Sequence, residues 1–266
     1  MKIFLKTEDE IGLMRKANSL VAKTLGEIGK LIMPGVTTRQ LDELAEEYIR
    51  DHGAVPAFKG YPNPFGHPFP ASICTSVNDT VVHGIPDSQT VLMDGDIISV
   101  DCGVVLDGFC GDSCYTFGVG NVKPEIRMLL KVAKEALWMG IANSVAGRHI
   151  GDIGSAVKKH CDSQGYGVVR ELTGHGIGRK MHEDPTVPNY GKNGSGVLLK
   201  DGMCIAIEPM VTMGDRFVRM MPDRWTIKTR DGKPAAHFEH TVVVRRGKAE
   251  VLSSFEEIEQ LEGTLY

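Results

Sequence analysis

Two similar stretches of the chain each place an acidic residue at the inner end of a short apolar strand. The residues LMDGDIISVD at 92–101 recur as LKDGMCIAIE at 199–208, so that Asp101 and Glu208 occupy equivalent positions. A carboxylate among apolar side chains is costly to bury unless it is paired or bound to a metal ion. The repeat therefore predicts two related halves that deliver acids to one shared site.

A predicted hairpin places a second acid beside Asp101. The Asp107-Gly108 pair is the strongest short signal for a two-residue turn, and such a turn sets Asp101 opposite Cys114. Asp112 then lies on the same face, roughly 7–8 Å from Asp101 at the backbone, where both side chains can reach one ion. The alternative is a solvated hairpin face, which the apolar flanking residues disfavour.

Glu239 begins another apolar strand, which runs to Val244, and brings the number of inward-pointing acids to four. Four carboxylates without counter-charge would repel one another and take up protons, whereas two divalent cations would balance their charge. An oxygen-rich donor set with few nitrogens is typical of a binuclear hydrolytic centre that uses Mn, Fe(II), Co or Zn. A structural zinc site is the disfavoured alternative.

Histidines are the expected nitrogen donors of this site. His175 lies in the run ELTGHGIG at 171–178, and the flanking glycines give the backbone the freedom to bring its ring close to a metal. A phosphate-binding loop is a competing interpretation of these glycines, but the run lacks both the GK[ST] and the GxGxxG pattern. His83 and His182 are further candidates, although each taken singly would more often be an ordinary core or surface histidine.

The elements that must position these residues follow from helix and turn signals. Pro34-Gly35 ends the first predicted helix, Thr37 and Gln40 form a capping-box pattern at the second, and Pro124 opens the third. The four predicted helices span about 8 to 32, Thr37 to about Asp51, Pro124 to about Asn143, and about Ile150 to Ser163. Because two helices precede each strand-and-acid phrase, the order of elements predicts an α+β fold with approximate two-fold symmetry.

The segment from Ala54 to Ser72, between the early helices and the first strands, is rich in Pro, Gly and Phe. This composition predicts that the segment contains no regular element. A structured loop with aromatic side chains can line a pocket or cover the core, and composition alone favours neither.

Composition limits the class of protein. The chain has 266 residues, 42% of them hydrophobic and 24% charged, and a formal net charge of -4, which is typical of a soluble globular protein without bulk attraction to nucleic acid or membrane. No stretch predicts a signal peptide or a membrane span, so a cytoplasmic protein is expected. The six cysteines lack CxxC spacing, which favours buried reduced thiols.

Taken together, these motifs resemble the type I methionine aminopeptidases. The matching stretches are HGIP at 83–86, VDCG at 100–103, GD at 111–112, TGHGIG at 173–178, IEPM at 207–210 and FEHT at 238–241. The resemblance implies the pita-bread fold, a single catalytic domain over 1–266 with pseudo-symmetric halves of about 1–120 and 121–250 around a curved, mainly antiparallel sheet with helices outside. The short spacing from Glu208 to Glu239 leaves no room for the helical insertion of type II members, so the chain resembles the bacterial-type enzymes.

The resemblance also implies roles for the candidate residues. Asp101 would chelate one of two divalent metal ions, and Asp112 and Glu239 would bridge both. His175 and Glu208 would complete the second site, and Glu208 would also act as general base. The remaining implied residues contact substrate: His83 and His182, one or the other of which would also stabilise the developing oxyanion, and the methionine-pocket residues Cys74, Tyr61, Phe69, Met181 and Trp225.

The implied activity is methionyl aminopeptidase activity, in which a bridging water attacks the scissile carbonyl. It removes the N-terminal (initiator) methionine from peptides and nascent chains, preferentially before a small second residue. The expected protein is a monomer, with the ribosome as a further candidate partner. The chain departs from the better-known family pattern at an apparent insertion, Pro62 to Gly66, and at Met181, where an aromatic residue is common.

Two alternatives share the fold. A proline-specific peptidase would use the same five ligand types, and turnover of Met-Ala-Ser against Ala-Pro-containing peptides would separate it from a methionine aminopeptidase. A catalytically inactive peptide-binding protein of the same architecture would be expected to have lost ligands, whereas all five ligand positions are filled here.

Overall fold

The structure is a computed structural model that describes residues 2–64 and 66–262. Its helices are α1 (Glu8–Leu31), α2 (Thr38–Asp51), α3 (Pro124–Asn143), α4 (Ile150–Ser163) and α5 (Glu256–Glu262). Its strands are β1 (Val55–Pro56), β2 (Ile73–Val77), β3 (Thr80–Val82), β4 (Ile97–Leu106), β5 (Phe109–Gly118), β6 (Gly167–Val168), β7 (Thr173–Gly176), β8 (Glu183–Pro188), β9 (Cys204–Ile207), β10 (Met210–Thr212), β11 (Val218–Met220), β12 (Ile227–Thr229), β13 (Ala235–His237), β14 (Glu239–Val243) and β15 (Glu250–Val251).

The predicted helix limits are confirmed to within about a residue. The Thr37 hydroxyl accepts the backbone N–H of Gln40, and the Gln40 side chain accepts the N–H of Thr37, so the predicted capping box is present. A second capping box, formed by Thr7 and Glu10, starts α1. Both boxes satisfy N–H groups that have no partner within their helix.

Antiparallel pairing dominates the main sheet, which runs β1-β4-β5-β14-β9-β7-β8, with β2 also paired to β4 and β15 to β14. Helix α1 packs on β4 and β5, and α3 packs on α4 and on strands of the second half. Val100 and Cys102 belong to the main core, whereas Asp101 between them lines a cavity. Alternation along β4 thus separates the packed face from the face that carries the acids.

The β4–β5 hairpin has the predicted register. Asp107 and Gly108 form its turn with φ values of 52° and 77°, the left-handed conformation that a two-residue hairpin turn requires. Asp101 pairs with Cys114, and Gly103 pairs with Asp112. The two acids are therefore diagonal neighbours, as predicted.

The segment from Ala54 to Ser72 departs from its prediction at one end. Val55 and Pro56 form β1, which pairs with Val105 and Val104 of β4, so the prediction of no regular element is wrong there. Edge strands tolerate proline because it need not donate to the ladder. The predicted insertion from Pro62 to Gly66 includes residue 65, which lies outside the described residues.

The six cysteines are buried thiols outside any disulfide, as the sequence predicted. Among the described helices, none is long and apolar enough to cross a membrane.

Candidate active site

One cavity of about 440 Å³ collects the predicted catalytic groups. Its walls include all four predicted acids, the three predicted histidines and one further histidine: Asp101, Asp112, Glu208, Glu239, His83, His175, His182 and His237. These eight residues come from five separate segments of the chain, around 83, 101–112, 175–182, 208 and 237–239, so the tertiary structure brings them together.

The sheet sets two of the acids in one row. Asp101 on β4 and Glu239 on β14 both pair with Cys114 on β5. The backbone N–H of Asp112 donates to the side-chain oxygen of Asn18 on α1 at 3.2 Å, and its carbonyl accepts the Thr241 hydroxyl at 2.8 Å. Acids of both halves are thereby fixed on one face.

His175 is presented to this face as a neutral ligand. Its Nδ1 lies 2.9 Å from the carbonyl of Gly176, so the Nδ1–H donates and leaves the Nε2 lone pair free. Nε2 faces Asp112 Oδ2 at 3.6 Å and Glu208 Oε1 at 3.7 Å. A Cβ on Gly174 would lie 2.4 Å from the Ala206 carbonyl oxygen, so this approach of β7 to β9 needs glycine.

The donor set fits divalent metal ions. Ligand atoms of Asp112, His175 and Glu239 lie within 4.8 Å of one another. Buried oxygens of Asp101, Asp112 and Glu239 have no hydrogen-bond partner among the described residues. Such oxygens carry a desolvation cost unless a cation or proton meets them.

The electrostatics of the acids lead to the same conclusion. Burial raises the pKa of Asp101 to about 7 and that of Glu208 to about 8. Burial, followed by the neighbouring carboxylates, raises the pKa of Asp112 and Glu239 well above the usual range. The protein part of the site therefore favours protonated acids, and bound divalent cations would supply the positive charge that keeps them ionised.

His182 lines the cavity and is oriented by Tyr61. The Tyr61 hydroxyl lies 2.6 Å from His182 Nδ1, and the rings of His182 and His175 are 4.3 Å apart. Partial burial lowers the pKa of His182 and raises that of Tyr61, which favours a neutral ring and a protonated phenol. When the phenol donates to Nδ1, Nε2 carries the ring proton.

His83 is held by its backbone. It adopts a left-handed conformation with φ of 57°, and a Cβ on the following Gly84 would lie 2.1 Å from the Thr75 carbonyl oxygen. Burial, then the neighbouring His237 and His182, lower the pKa of His83 to about 4. The ring is therefore neutral around pH 7.

Part of the remaining cavity wall is aromatic or sulfur-bearing. Four of the five predicted pocket residues line it, namely Tyr61, Phe69, Cys74 and Trp225. Phe58, which was not predicted, lines it as well. The indole N–H of Trp225 donates to the His67 carbonyl at 2.8 Å, and its ring meets Phe69 edge to face at 5.2 Å. Unbranched thioethers pack well in such surroundings.

Met181 is not among the residues that line this cavity, in contrast to the prediction. It is 5% exposed and belongs to a neighbouring apolar cluster. A Cβ on Gly103 would lie 2.6 Å from Met181 Cε and 2.7 Å from Phe58 Cε1. The long methionine side chain therefore lies against the backbone of β4, in the space left by Gly103.

Part of the predicted insertion lines the cavity. Pro62, Asn63 and Pro64 line it together with Arg224. Asn63 Nδ2 donates to the carbonyl of Arg224 at 2.9 Å, and Arg224 has a φ of 65°. The loop is thus fixed to the turn that precedes Trp225.

His237 and Phe58 are wall residues that the sequence-based prediction missed. His237 is two residues before Glu239, and side chains two apart in an extended chain point to the same face. That spacing was a usable signal for His237. Phe58 lies in an irregular stretch, where no periodicity indicates direction.

Comparison with known proteins agrees with this geometry. The chain matches the model of metallopeptidase family M24 over residues 12–246. A methionine aminopeptidase of Clostridium acetobutylicum is 47% identical over 251 residues, which cover 94% of this chain and 98% of that protein.

Solved structures show the same relationship. The crystal structure of methionine aminopeptidase from Thermotoga maritima has a TM-score of 0.91 at 42% identity and covers 95% of this chain and 100% of that one. An Xaa-Pro dipeptidase from Bacillus anthracis has a TM-score of 0.74 at 22% identity over 94% of this chain and 62% of that one, which shows a shared fold alone. The predicted pita-bread fold is confirmed. The chain therefore belongs to metallopeptidase family M24 and, within it, to the methionine aminopeptidases.

Proposed function

We propose that the chain removes N-terminal methionine from peptides and nascent proteins by metal-dependent hydrolysis in this cavity, preferentially when the second residue is small. One observation carries the proposal: the five candidate ligands and two candidate substrate histidines share a cavity with an aromatic, sulfur-bearing wall. Carboxylate ligands can hold the divalent metal ions that assist hydrolysis. The aromatic and sulfur-bearing part of the wall can accommodate a methionine side chain.

Asp101, Asp112, His175, Glu208 and Glu239 would hold two divalent ions, drawn from Fe(II), Mn, Co and Zn. Bound ions of this kind polarise a scissile carbonyl and lower the pKa of an attacking water. One carboxylate oxygen of Asp112 and one of Glu239 are buried without a hydrogen-bond partner among the described residues, which supports their use as metal ligands.

Glu208 is the proposed general base. Its side chain is 14% exposed and lines the cavity, so its carboxylate can take a proton from an attacking water and pass it to the leaving amine. Asn189 Nδ2 donates to the Glu208 carbonyl oxygen at 2.9 Å, which fixes the backbone from which the side chain projects.

His182 is the proposed donor to the developing oxyanion. Tyr61 directs its ring through Nδ1, so that Nε2–H is available to the scissile carbonyl oxygen as negative charge accumulates there. His83, neutral and fixed by its strained backbone, is proposed to contact the substrate from the neighbouring wall.

We further propose that residues 1–266 form a single catalytic domain, with related halves of about 1–120 and 121–250. The main core supports this proposal because it contains residues of both halves, among them Leu25 and Ile205.

We also propose that the protein acts as a cytoplasmic monomer and meets nascent chains at the ribosome. Size-exclusion chromatography and co-sedimentation with ribosomes test the last two points.

Reconstitution of metal-free protein with Fe(II), Mn, Co or Zn, followed by assays on three peptides, tests the proposed function. Met-Ala-Ser should be cleaved, Met-Val-Ser more slowly, and Ala-Pro-Ser not at all. Preferred cleavage of Ala-Pro-Ser would support the proline-specific alternative. An absence of cleavage with every metal, together with peptide binding, would support the inactive peptide-binding alternative.

A further inference from the structure

Glu208 lies between two imidazole rings. Its Oε1 is 3.7 Å from Nε2 of His175, and its Oε2 is 3.6 Å from Nε2 of His237. The side chain of His237 is 2% exposed, so neither water nor a surface group competes freely for this contact. Each oxygen of the carboxylate therefore faces a different ring.

In the described part of the chain, His237 Nε2 lies 3.6 Å from Glu208 Oε2, and Asp101 interacts with the ring electrostatically. Its Nε2 is buried there without a hydrogen-bond partner, and buried polar groups are rarely left in that state. A separation of 3.6 Å is slightly too long for a hydrogen bond. Catalytic contacts are often long without substrate and shorten when it binds, and we expect this contact to shorten in the same way.

The backbone of His237 is fixed from both sides. Its N–H donates to Thr116 Oγ1 at 3.0 Å, and the Thr116 hydroxyl donates back to its carbonyl at 2.7 Å. His237 also pairs with Met210 across β13 and β10. Because Met210 is two residues after Glu208, this pairing fixes the position of His237 relative to the glutamate.

We propose that His237 is a positioning residue for Glu208, whose second carboxylate oxygen, Oε2, accepts a hydrogen bond from His237 Nε2–H. Oε1 is then directed towards His175 and the other candidate ligands. This inference rests on the proposed function, in which Glu208 moves a proton. Loss of a group that orients a ligand carboxylate typically lowers metal affinity or activity about 10- to 100-fold.

Two substitutions at His237 distinguish the effect of its hydrogen-bond donor from the effect of its side-chain volume. His237→Gln carries a side-chain N–H near the position of Nε2, and His237→Leu fills similar space without a donor. For Met-Ala-Ser, we expect His237→Leu to lower kcat about 10- to 100-fold with KM nearly unchanged. We expect His237→Gln to recover most of the loss. Thermal unfolding of each variant monitors folding.

The same substitution in the Glu208→Gln background tests whether His237 acts through the glutamate. His237→Leu should cause little further loss there, because the carboxylate to be positioned is already gone. Equal losses in both backgrounds, or a rise in KM at constant kcat, would overturn the proposal.

Calorimetric titration with Mn²⁺ provides a readout that does not depend on turnover. His237→Leu should weaken Mn²⁺ binding about tenfold in the otherwise unchanged chain, and His237→Gln should restore it. Unchanged Mn²⁺ affinity and kcat in His237→Leu would refute the positioning role. If the unchanged chain cleaves no methionine peptide, the proposed function fails, while the Mn²⁺ affinities still decide the role of His237.

Discussion

Asp101 and Glu239 lie in one row across three strands, because both pair with Cys114. One acid belongs to the first half of the chain and the other to the second. Strand β5 therefore holds acids of both halves at a fixed spacing, and an ion bound between them would link the halves. Metal binding should accordingly stabilise the whole fold.

The first prediction concerns thermal stability. Mn²⁺ at about one hundred times its Kd should stabilise the metal-free protein by about 2.7 kcal/mol, which corresponds to a rise in Tm of roughly 5–10 °C. Differential scanning calorimetry measures this shift. Asp112→Asn, which removes one candidate ligand charge, should show a much smaller rise, and equal rises in both proteins would contradict the assigned site.

A second prediction concerns the proposed general base. Glu208→Gln should lower kcat for Met-Ala-Ser about 10²- to 10⁴-fold, because the amide cannot accept the proton. Peptide binding should persist, as measured by calorimetry. Glu43→Gln, on the exposed surface of α2, is the matched control with unchanged kcat. Near-normal turnover in metal-loaded Glu208→Gln would rule out this role.

The third prediction concerns pH. Burial lowers the pKa of His83 from 6.5 to about 4, so the unfolded chain binds this proton at higher pH than the folded chain does. The contribution of His83 to the free energy of unfolding is therefore constant above pH 6.5 and falls as the pH decreases from 6.5 towards 4.

Nuclear magnetic resonance of the metal-free protein measures this pKa directly. The His83 ring signal, assigned by its loss in His83→Asn, should titrate with a midpoint near 4. A midpoint near 6.5 would contradict the predicted desolvation of the ring.

A fourth prediction compares two glycines of α1. A Cβ on Gly12 meets no atom within 4 Å, whereas one on Gly29 would lie 3.0 Å from Phe117 Cε1. Gly12→Ala should stabilise the protein by about 0.5–1 kcal/mol through helix propensity alone. Gly29→Ala should gain less or lose stability because Phe117 must move. Urea unfolding measures both values, and equal gains would show that Phe117 adjusts freely.

The fifth prediction concerns a buried ion pair next to His182. Lys6 Nζ lies 2.6 Å from Glu183 Oε2, and the two side chains are only 5% and 8% exposed. Lys6→Met should destabilise the protein by about 1–3 kcal/mol, because the part-buried Glu183 carboxylate loses its charged partner and is left with the backbone N–H of Lys180 as a donor.

The double variant Lys6→Met/Glu183→Leu completes a cycle of urea-unfolding measurements. It should recover much of the stability lost in Lys6→Met, since it removes the unpaired charge. Additive losses in the double variant would show that the pair acts through packing alone.

The sequence by itself determined the local parts of this protein. The register of Asp101 and Asp112 followed from the Asp107-Gly108 turn, because a two-residue loop fixes which residues face each other. The helix limits followed from capping patterns within one turn of the chain, such as Thr37 and Gln40. The acids could be identified from the sequence because a carboxylate within an apolar strand is costly to bury unless it has a partner.

Only the tertiary structure decided which side chains from distant segments meet. Phe58 enters the cavity wall, while Met181 lies against Gly103 outside it. His237 faces Glu208 because β10 and β13 pair at Met210. These contacts depend on sheet order and on small differences in side-chain volume. Sheet order and the fit of side chains between the strands leave no periodic pattern in the chain, because both are decided only when the strands pack.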